Sequence, residues 1–362
     1  MSAPHRRVVC AVAGLALVLA LPSAAQAAEK TVDMGIPTAA QRSFQPTVSD
    51  VNDFFPHQVT IHPGDTVRFR PSGFHTVDLP GSGRTRKLPI ITSLTQPIAN
   101  SVDFAGQPFW FNGQKSVGLN PALLRPGFGK RFNYTGARAV LSGLPLARRP
   151  KAMTVRFTRA GTFRYFCDVH LGMTGTVRVV GANRRVPSAA ADRATVRRQV
   201  ATTLATAKAL QASTPTLPPN TVDVGLQGRG GVSFFGFKPS ALTVPRGTTV
   251  AFRMAARAEV HTATTGPGNP ESEPQSYLGQ IEAGLQSAVF DPRGVLPSDP
   301  PGTLAALTPT FHGNGFWNSG GLDEDPATQT VPPTSAVQFA GPGTYQVFCM
   351  IHPIMHLTVT VQ

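Results

Sequence analysis

The chain of 362 residues contains one sequence pattern twice, and this repeat constrains the fold more than any other feature. Each copy has a lone histidine, a long intervening stretch, a strand-like run that begins with glycine, and a final Cys-x-x-His-x-x-Met. The cysteine follows the histidine by 92 residues in the first copy and by 88 in the second, and it follows the glycine by six residues in both. A duplication of this length predicts two similar domains. The matched segments are Thr31–Gly35 with Thr221–Gly225, Gly64–Phe69 with Gly247–Phe252, Phe109–Gly113 with Gly315–Gly320, and Gly161–Cys167 with Gly343–Cys349.

Both copies alternate apolar and polar residues in short runs, which is typical of strands with one buried face. With 35 glycines and 34 prolines, the chain has many turn formers between these runs. The prediction is an all-β fold of two tandem Greek-key β-sandwich domains. The runs are Val59–Phe69, Val155–Phe166 and Gly175–Val180 in the first copy, and Leu242–Phe252, Ala336–Phe348 and Leu357–Val361 in the second.

The N-terminus has the pattern of a signal peptide. Arg6 and Arg7 precede an apolar core over residues 8–21, and Ala25-Gln26-Ala27 is a small-residue cleavage site. The arginine pair leaves the twin-arginine route open as an alternative to general secretion. No later segment is apolar enough for a transmembrane anchor. We therefore expect an exported protein, periplasmic or extracellular.

The predicted organisation has four parts. The connector between the copies has no strand alternation; its first part is compatible with a helix over residues 188–212, and a proline-rich spacer follows. The parts are a signal peptide (1–27), a first domain (28–181), a linker (182–219) and a second domain (220–362).

Two cysteines, Cys167 and Cys349, remain after the predicted cleavage. By count alone they fit one interdomain disulfide or two inert buried thiols. Their neighbours favour a metal instead, because each begins a Cys-x-x-His-x-x-Met loop after a strand. A thiolate, two imidazoles and a weak axial thioether suit both oxidation states of copper, whereas methionine is a poor zinc ligand. The sequence predicts two coppers per chain, bound by His75, Cys167, His170 and Met173, and by His261, Cys349, His352 and Met355.

These motifs resemble the plastocyanin/azurin family of blue copper proteins, and the loop spacing is similar to that of amicyanin. The resemblance implies the same ligands, a sandwich fold and the carriage of single electrons. It also implies that the second-loop histidines, His170 and His352, lie at a surface patch. The chain departs from the family in the long stretches 79–150 and 266–333, and in having threonine after the upstream histidine where many relatives have asparagine.

The predicted function is an electron carrier with no catalytic residues of its own. The alternatives are a copper oxidoreductase of the nitrite reductase or multicopper oxidase type with an additional copper, and a copper-buffering protein. An additional site would need further histidines. The remaining ones lack a His-x-His pairing and are interpreted as surface residues: His57, His62, His312 and His356.

Charge is distributed unevenly along the chain. The net charge is +11 over residues 28–180, +5 over residues 181–220 and −4 over residues 221–362. This is compatible with simple solubility, with a basic docking face for acidic redox partner proteins, or with attraction between the two halves. Nucleic acid is not an expected partner of an exported chain without a basic aromatic motif. The sequence predicts no particular oligomeric state.

Overall fold

The structure is a computed structural model that describes residues 27–82, 88–324 and 331–362. The predicted signal peptide, residues 1–27, lies outside these ranges except for Ala27. Within the described ranges, no helix has both the length and the apolar character needed to cross a bilayer.

The part of the chain before the connector consists of strands and a few helical turns. A four-residue helix, α1 (Gln41–Phe44), lies between short 3-10 helices at Thr38–Ala40 and Gln45–Thr47. The strands are β1 (Glu29–Met34), β2 (Ser49–Val51), β3 (Phe54–Phe55), β4 (Gln58–Ile61), β5 (Thr66–Pro71), β6 (Asp78–Leu79), β7 (Ile91–Pro97), β8 (Lys115–Leu119), β9 (Arg131–Tyr134), β10 (Val140–Leu141), β11 (Met153–Phe157), β12 (Gly161–Phe166) and β13 (Thr174–Val179).

The connector contains α2 (Ala189–Ala212), the longest helix in the described ranges, which is capped by the Ser188 side chain. Two short helices follow in the second half, α3 (Tyr277–Leu285) and α4 (Pro292–Val295), with a 3-10 turn at Phe311–Gly313. The strands after the connector are β14 (Thr221–Gln227), β15 (Val232–Lys238), β16 (Ala241–Val244), β17 (Thr248–Met254), β18 (Val260–His261), β19 (Thr264–Thr265), β20 (Ala305–Leu307), β21 (Trp317–Asn318), β22 (Leu322–Asp323), β23 (Thr334–Phe339), β24 (Gly343–Phe348) and β25 (His356–Val361).

Each half contains two facing sheets. In the first half the strand orders are β3-β1-β5-β11-β9 and β10-β6-β12-β13-β4. In the second half they are β2-β15-β14-β17-β23-β20 and β16-β25-β24-β19-β21. The side chains between each pair of sheets form one buried apolar cluster per half, so each half is a sandwich. The all-β prediction is confirmed.

The two halves are joined by more than the connector. Strand β2, from the first half, pairs with β15 and so extends a sheet of the second half. Helix α2 packs on an apolar cluster that contains Phe44 and Phe55 from the first half and Val232 from the second. The long stretches also meet each other, because Phe109 and Phe111 share a buried cluster with Phe316. These contacts fix how the two sandwiches face each other.

Candidate metal centres

The fold places three of the four predicted ligands of each centre close together. Cys167 follows β12 directly, and His170 lies in the loop that leads to β13. His75 comes from the separate segment between β5 and β6. The potential ligand atoms of His75, Cys167 and His170 all lie within 4.8 Å of one another, and those of His261, Cys349 and His352 do the same.

Both ligand loops are closed by the same backbone hydrogen bond, from the cysteine amide to the methionine carbonyl. This explains why both loops have the spacing Cys-x-x-His-x-x-Met. The Cys167 amide donates to the Met173 carbonyl at 3.0 Å, and the Cys349 amide donates to the Met355 carbonyl at 3.2 Å. Each methionine is thereby held at the base of its loop. Met173 and Met355 are buried in the same apolar clusters as the cysteines of their loops.

The distances within each cluster fit a bound metal. The two imidazole Nδ1 atoms are 3.0 Å apart in both clusters, His75 to His170 and His261 to His352. The Cys167 sulfur lies 3.7 Å from His170 Nδ1, and the Cys349 sulfur lies 3.7 and 3.8 Å from its two histidines. Bonds of about 2.0 Å to nitrogen and about 2.3 Å to sulfur, at roughly 120°, would separate sulfur and nitrogen by about 3.7 Å. The residues present therefore fit a first-row metal ion.

The electrostatics of both clusters favour a thiolate. Burial opposes ionisation of Cys167, but the adjacent His170 and His75 rings hold the pKa of the thiol well below its usual value. His261 and His352 do the same for the pKa of Cys349. A thiolate is the form that binds metal. Neither cysteine forms a disulfide, so the alternative of an interdomain cystine is wrong.

The upstream histidines are packed against glycine. A β-carbon on Gly35 would lie 2.7 Å from Nε2 of His75, and one on Gly225 would lie 2.7 Å from Nε2 of His261. Both glycines have a positive φ, +95° and +70°. These glycines end the Thr-Val-Asp-x-Gly segments of the repeat. The structure explains why both are glycine, because a side chain at either position would overlap the imidazole ring.

The expectation that His170 lies at a surface patch is wrong. Its side chain is only 6% exposed, and its Nε2 lies 3.6 Å from the Glu259 carboxylate of the second half. The family resemblance could not predict this, because a single-domain carrier has no second sandwich to cover that histidine. His352 is half-buried, and its loop reaches solvent at Ile354, which is 42% exposed.

Sequence reasoning missed the residues between the centres. Glu259 is buried and lies two positions before His261, whereas the equivalent position of the first copy is Gly73. Phe235 on β15 stacks on the His352 ring with centroids 4.4 Å apart. No signal in the repeat identifies them, because neither residue is shared by the two copies.

The four other histidines differ in their surroundings. His356 is exposed, His62 is half-buried with its Nε2 2.8 Å from the Arg184 carbonyl oxygen, and His57 pairs with Asp53 at 2.8 Å while remaining about half exposed. His312 does not fit the surface interpretation: its side chain is only 16% exposed and lies between two acidic residues, Asp103 and Asp299.

Comparisons with known proteins identify no family by sequence. No family model matches the chain, and no curated protein matches it. Solved structures that match part of the chain include cupredoxins of low identity. They include oxidised plastocyanin from Dryopteris crassirhizoma (22% identity, 39% of this chain and 99% of that chain, TM-score 0.21). A purple cupredoxin from Nitrosopumilus maritimus has 16% identity, covers 39% of this chain and 98% of its own length, and gives a TM-score of 0.20.

A third similar structure is auracyanin A, described as a blue copper protein, from Chloroflexus aurantiacus. It has 15% identity, covers 39% of this chain and 96% of its own length, and gives a TM-score of 0.21. At these identities and TM-scores, the function has to be inferred from this chain's own residues.

Proposed function

We propose that the protein binds two copper ions, one in each half, and carries single electrons outside the cytoplasm. The observation that carries this proposal is the pair of His-Cys-His clusters, in which every residue but the half-buried His352 is buried and each loop has a methionine at its base. Copper bound by such a set would supply a one-electron couple between its cuprous and cupric states. The ligands are His75, Cys167, His170 and Met173 for the first centre, and His261, Cys349, His352 and Met355 for the second.

The protein's own contribution is to keep the ligand geometry fixed. Two ligands of each centre are pinned by the loop hydrogen bonds, and the upstream histidine is packed against glycine. Both cysteines are buried, which keeps water away from the sulfur. A rigid, dry ligand set needs little rearrangement when the charge at the centre changes, and this favours electron transfer over substrate chemistry.

The proposal extends to processing and partners. We propose cleavage after residue 27, export to the periplasm or the extracellular space, and a division into domains 28–181 and 220–362. The excess of positive charge in the first half would steer acidic redox proteins toward the chain. The association rate with an acidic carrier should therefore fall as ionic strength rises. A rate that is insensitive to salt would contradict the steering.

A redox titration of single-centre variants tests the proposal. Cys167→Ala and Cys349→Ala should each remove about half of the blue absorbance of the copper-loaded protein, because each deletes one thiolate. The remaining absorbance should titrate reversibly with one electron. Steady catalytic reduction of nitrite or consumption of oxygen would support the copper oxidoreductase alternative. Copper uptake without reversible redox change would support a buffer.

A further inference from the structure

The histidine of the first loop points at the second half of the molecule. His170 Nδ1 is on the side of the first cluster, 3.7 Å from the Cys167 sulfur. Its other ring nitrogen, Nε2, lies 3.6 Å from a carboxylate oxygen of Glu259. Glu259 comes two residues before His261, a predicted ligand of the second centre. A single carboxylate therefore lies against one ligand set and is joined to the other by two peptide units.

Glu259 is held in this position by residues from both halves. Asn52 donates its side-chain amide to the second carboxylate oxygen of Glu259 at 2.6 Å and to the Ser233 hydroxyl at 3.0 Å. The Asn52 backbone amide donates to the Gly231 carbonyl at 2.7 Å. The Glu259 side chain is only 4% exposed. A buried carboxylate is costly unless it is paired, so both of its oxygens have a definite role here.

The two centres differ in their access to solvent. His170 is enclosed by the second half, and His75 is fully buried. In the second centre, His352 is half-buried under Phe235, and the following Ile354 is exposed. Gly172, at the same loop position as Ile354, is also exposed, but only the second loop presents a partly exposed ligand histidine to a protein partner. The corresponding edge of His170 in the first centre meets Glu259.

We propose that Glu259 joins the two centres, orienting His170 and providing the route from His170 to His261 by which an electron passes between them. The second centre is then the one that exchanges electrons with outside proteins, and the first receives them from it. This inference rests on the proposed function. With copper bound in both centres, an outside one-electron donor would reduce the second centre. That centre would be reoxidised as the first was reduced, and no bond would form or break.

The sharpest variant is Glu259→Gln. Glutamine has nearly the same size but no charge, and one of its two terminal atoms is an amide nitrogen, so it cannot present an oxygen to both Asn52 and His170. Glu271→Gln is the matched control, because Glu271 is exposed on the surface of the same half. If Glu259→Gln does not fold, Glu259→Asp keeps the charge and withdraws it from His170 by one methylene. Copper content and spectra of the native protein are measured first. If the native protein lacks the two copper centres, the proposed function has failed, and the link between the centres is not at issue.

Rapid mixing with reduced cytochrome c, a protein-sized donor, then tests the route. The first centre alone, in Cys349→Ala, should be reduced at least tenfold more slowly than the second centre alone, in Cys167→Ala. The two-centre protein should show a second phase whose rate is independent of both protein concentrations. Glu259→Gln should slow this phase at least tenfold, and Glu271→Gln should not. Equal rates for the two single-centre proteins, or an unchanged second phase in Glu259→Gln, would overturn the inference.

A metal-free measurement separates orientation from general disturbance. The ¹⁵N resonances of the His170 ring should shift in metal-free Glu259→Gln, because the group facing Nε2 has changed. Those of the half-buried His62 ring, which lies against the Arg184 carbonyl, should stay in place. If the His170 resonances are identical in native protein and variant, Glu259 does not orient this ring and the inference fails.

Discussion

The hydrogen bonds to the two cysteine sulfurs are alike for the backbone donors and differ for the neighbouring threonine hydroxyls. The backbone amide of Thr76 donates to the Cys167 sulfur at 3.3 Å, and the equivalent amide of Thr262 donates to the Cys349 sulfur at 3.4 Å. The hydroxyls differ. That of Thr76 lies 3.7 Å from its sulfur, whereas that of Thr262 lies 3.1 Å from the Thr264 hydroxyl. Hydrogen bonding at the sulfur tunes the potential of a blue copper centre, so the two centres should not be equal.

Replacing the first threonine tests this difference. Thr76→Val removes the hydroxyl contact to the Cys167 sulfur and should lower the reduction potential of the first centre, because the thiolate becomes a stronger donor to the oxidised metal. The expected effect is at most about 1 kcal/mol of differential stabilisation. Thr262→Val is the matched control and should change the second centre less. Voltammetry measures the reduction potentials of both variants. Equal shifts of the potential in Thr76→Val and Thr262→Val would contradict the role given to the Thr76 hydroxyl.

At the scale of elements, the residue after β1 and the register shift within β14 provide the glycines against which the upstream histidines pack. The loops after β12 and β24 provide the other ligands, and the loop spacing is local enough to be recognised in the sequence. The repeated glycines are equally visible there. The role of these glycines cannot be predicted from the sequence, because only the fold shows that they lie against the imidazole rings.

Gly225→Ala should damage the second centre specifically. The new β-carbon would lie 2.7 Å from His261 Nε2 and would push the ring out of place. Gly247→Ala is the control, since its φ is also positive, +84°, but no atom lies within 4 Å of the added carbon. Both variants should lose about 1–2 kcal/mol through the left-handed backbone, and Gly225→Ala a further 1–3 kcal/mol or so through overpacking.

Chemical denaturation and copper retention check this pair. Gly225→Ala should release copper from one centre under conditions in which Gly247→Ala retains both. If the two variants behave alike in both measurements, the glycine at position 225 serves only the backbone.

At the scale of the whole molecule, an ionic contact joins the stretch 79–150 of the first half to the stretch 266–333 of the second. His312 Nδ1 lies 2.9 Å from Asp103 of the first half, and its Nε2 lies 3.7 Å from Asp299. Burial opposes charge on the ring, but the two carboxylates raise the pKa of His312 above its usual value. The protonated ring therefore stabilises the folded state at pH values below about 6.5, and this stabilisation is lost as the pH rises through the raised pKa.

His312→Gln should lower the melting temperature at pH 5.5 by about 2–4 °C, the equivalent of roughly 1 kcal/mol. At pH 9 the difference from the native protein should be much smaller. His356→Gln, at an exposed position on β25, is the control and should have little effect at either pH. Thermal unfolding followed by circular dichroism measures both, and a loss of equal size at the two pH values would argue against the ionic contact.

The sequence was informative wherever the structure depends on local spacing. The strand alternation and the Cys-x-x-His-x-x-Met loops both involve residues a few positions apart, and the repeat adds the upstream histidines by comparison. The contact between the halves depends on residues far apart in the chain, such as Asn52 with Glu259, and it has no counterpart within either copy. For this reason the burial of His170 and the pairing of β2 with β15 could not be predicted.

The central claim is that each half binds one copper through its cysteine thiolate. Counting copper in the loaded, purified protein and recording its spin-resonance spectrum tests this most directly. The account predicts two coppers per chain, both with the narrow hyperfine splitting of type 1 centres, in a protein that is intensely coloured when oxidised. A colourless protein with cupric ion present, or copper with only ordinary type 2 splitting, would contradict it.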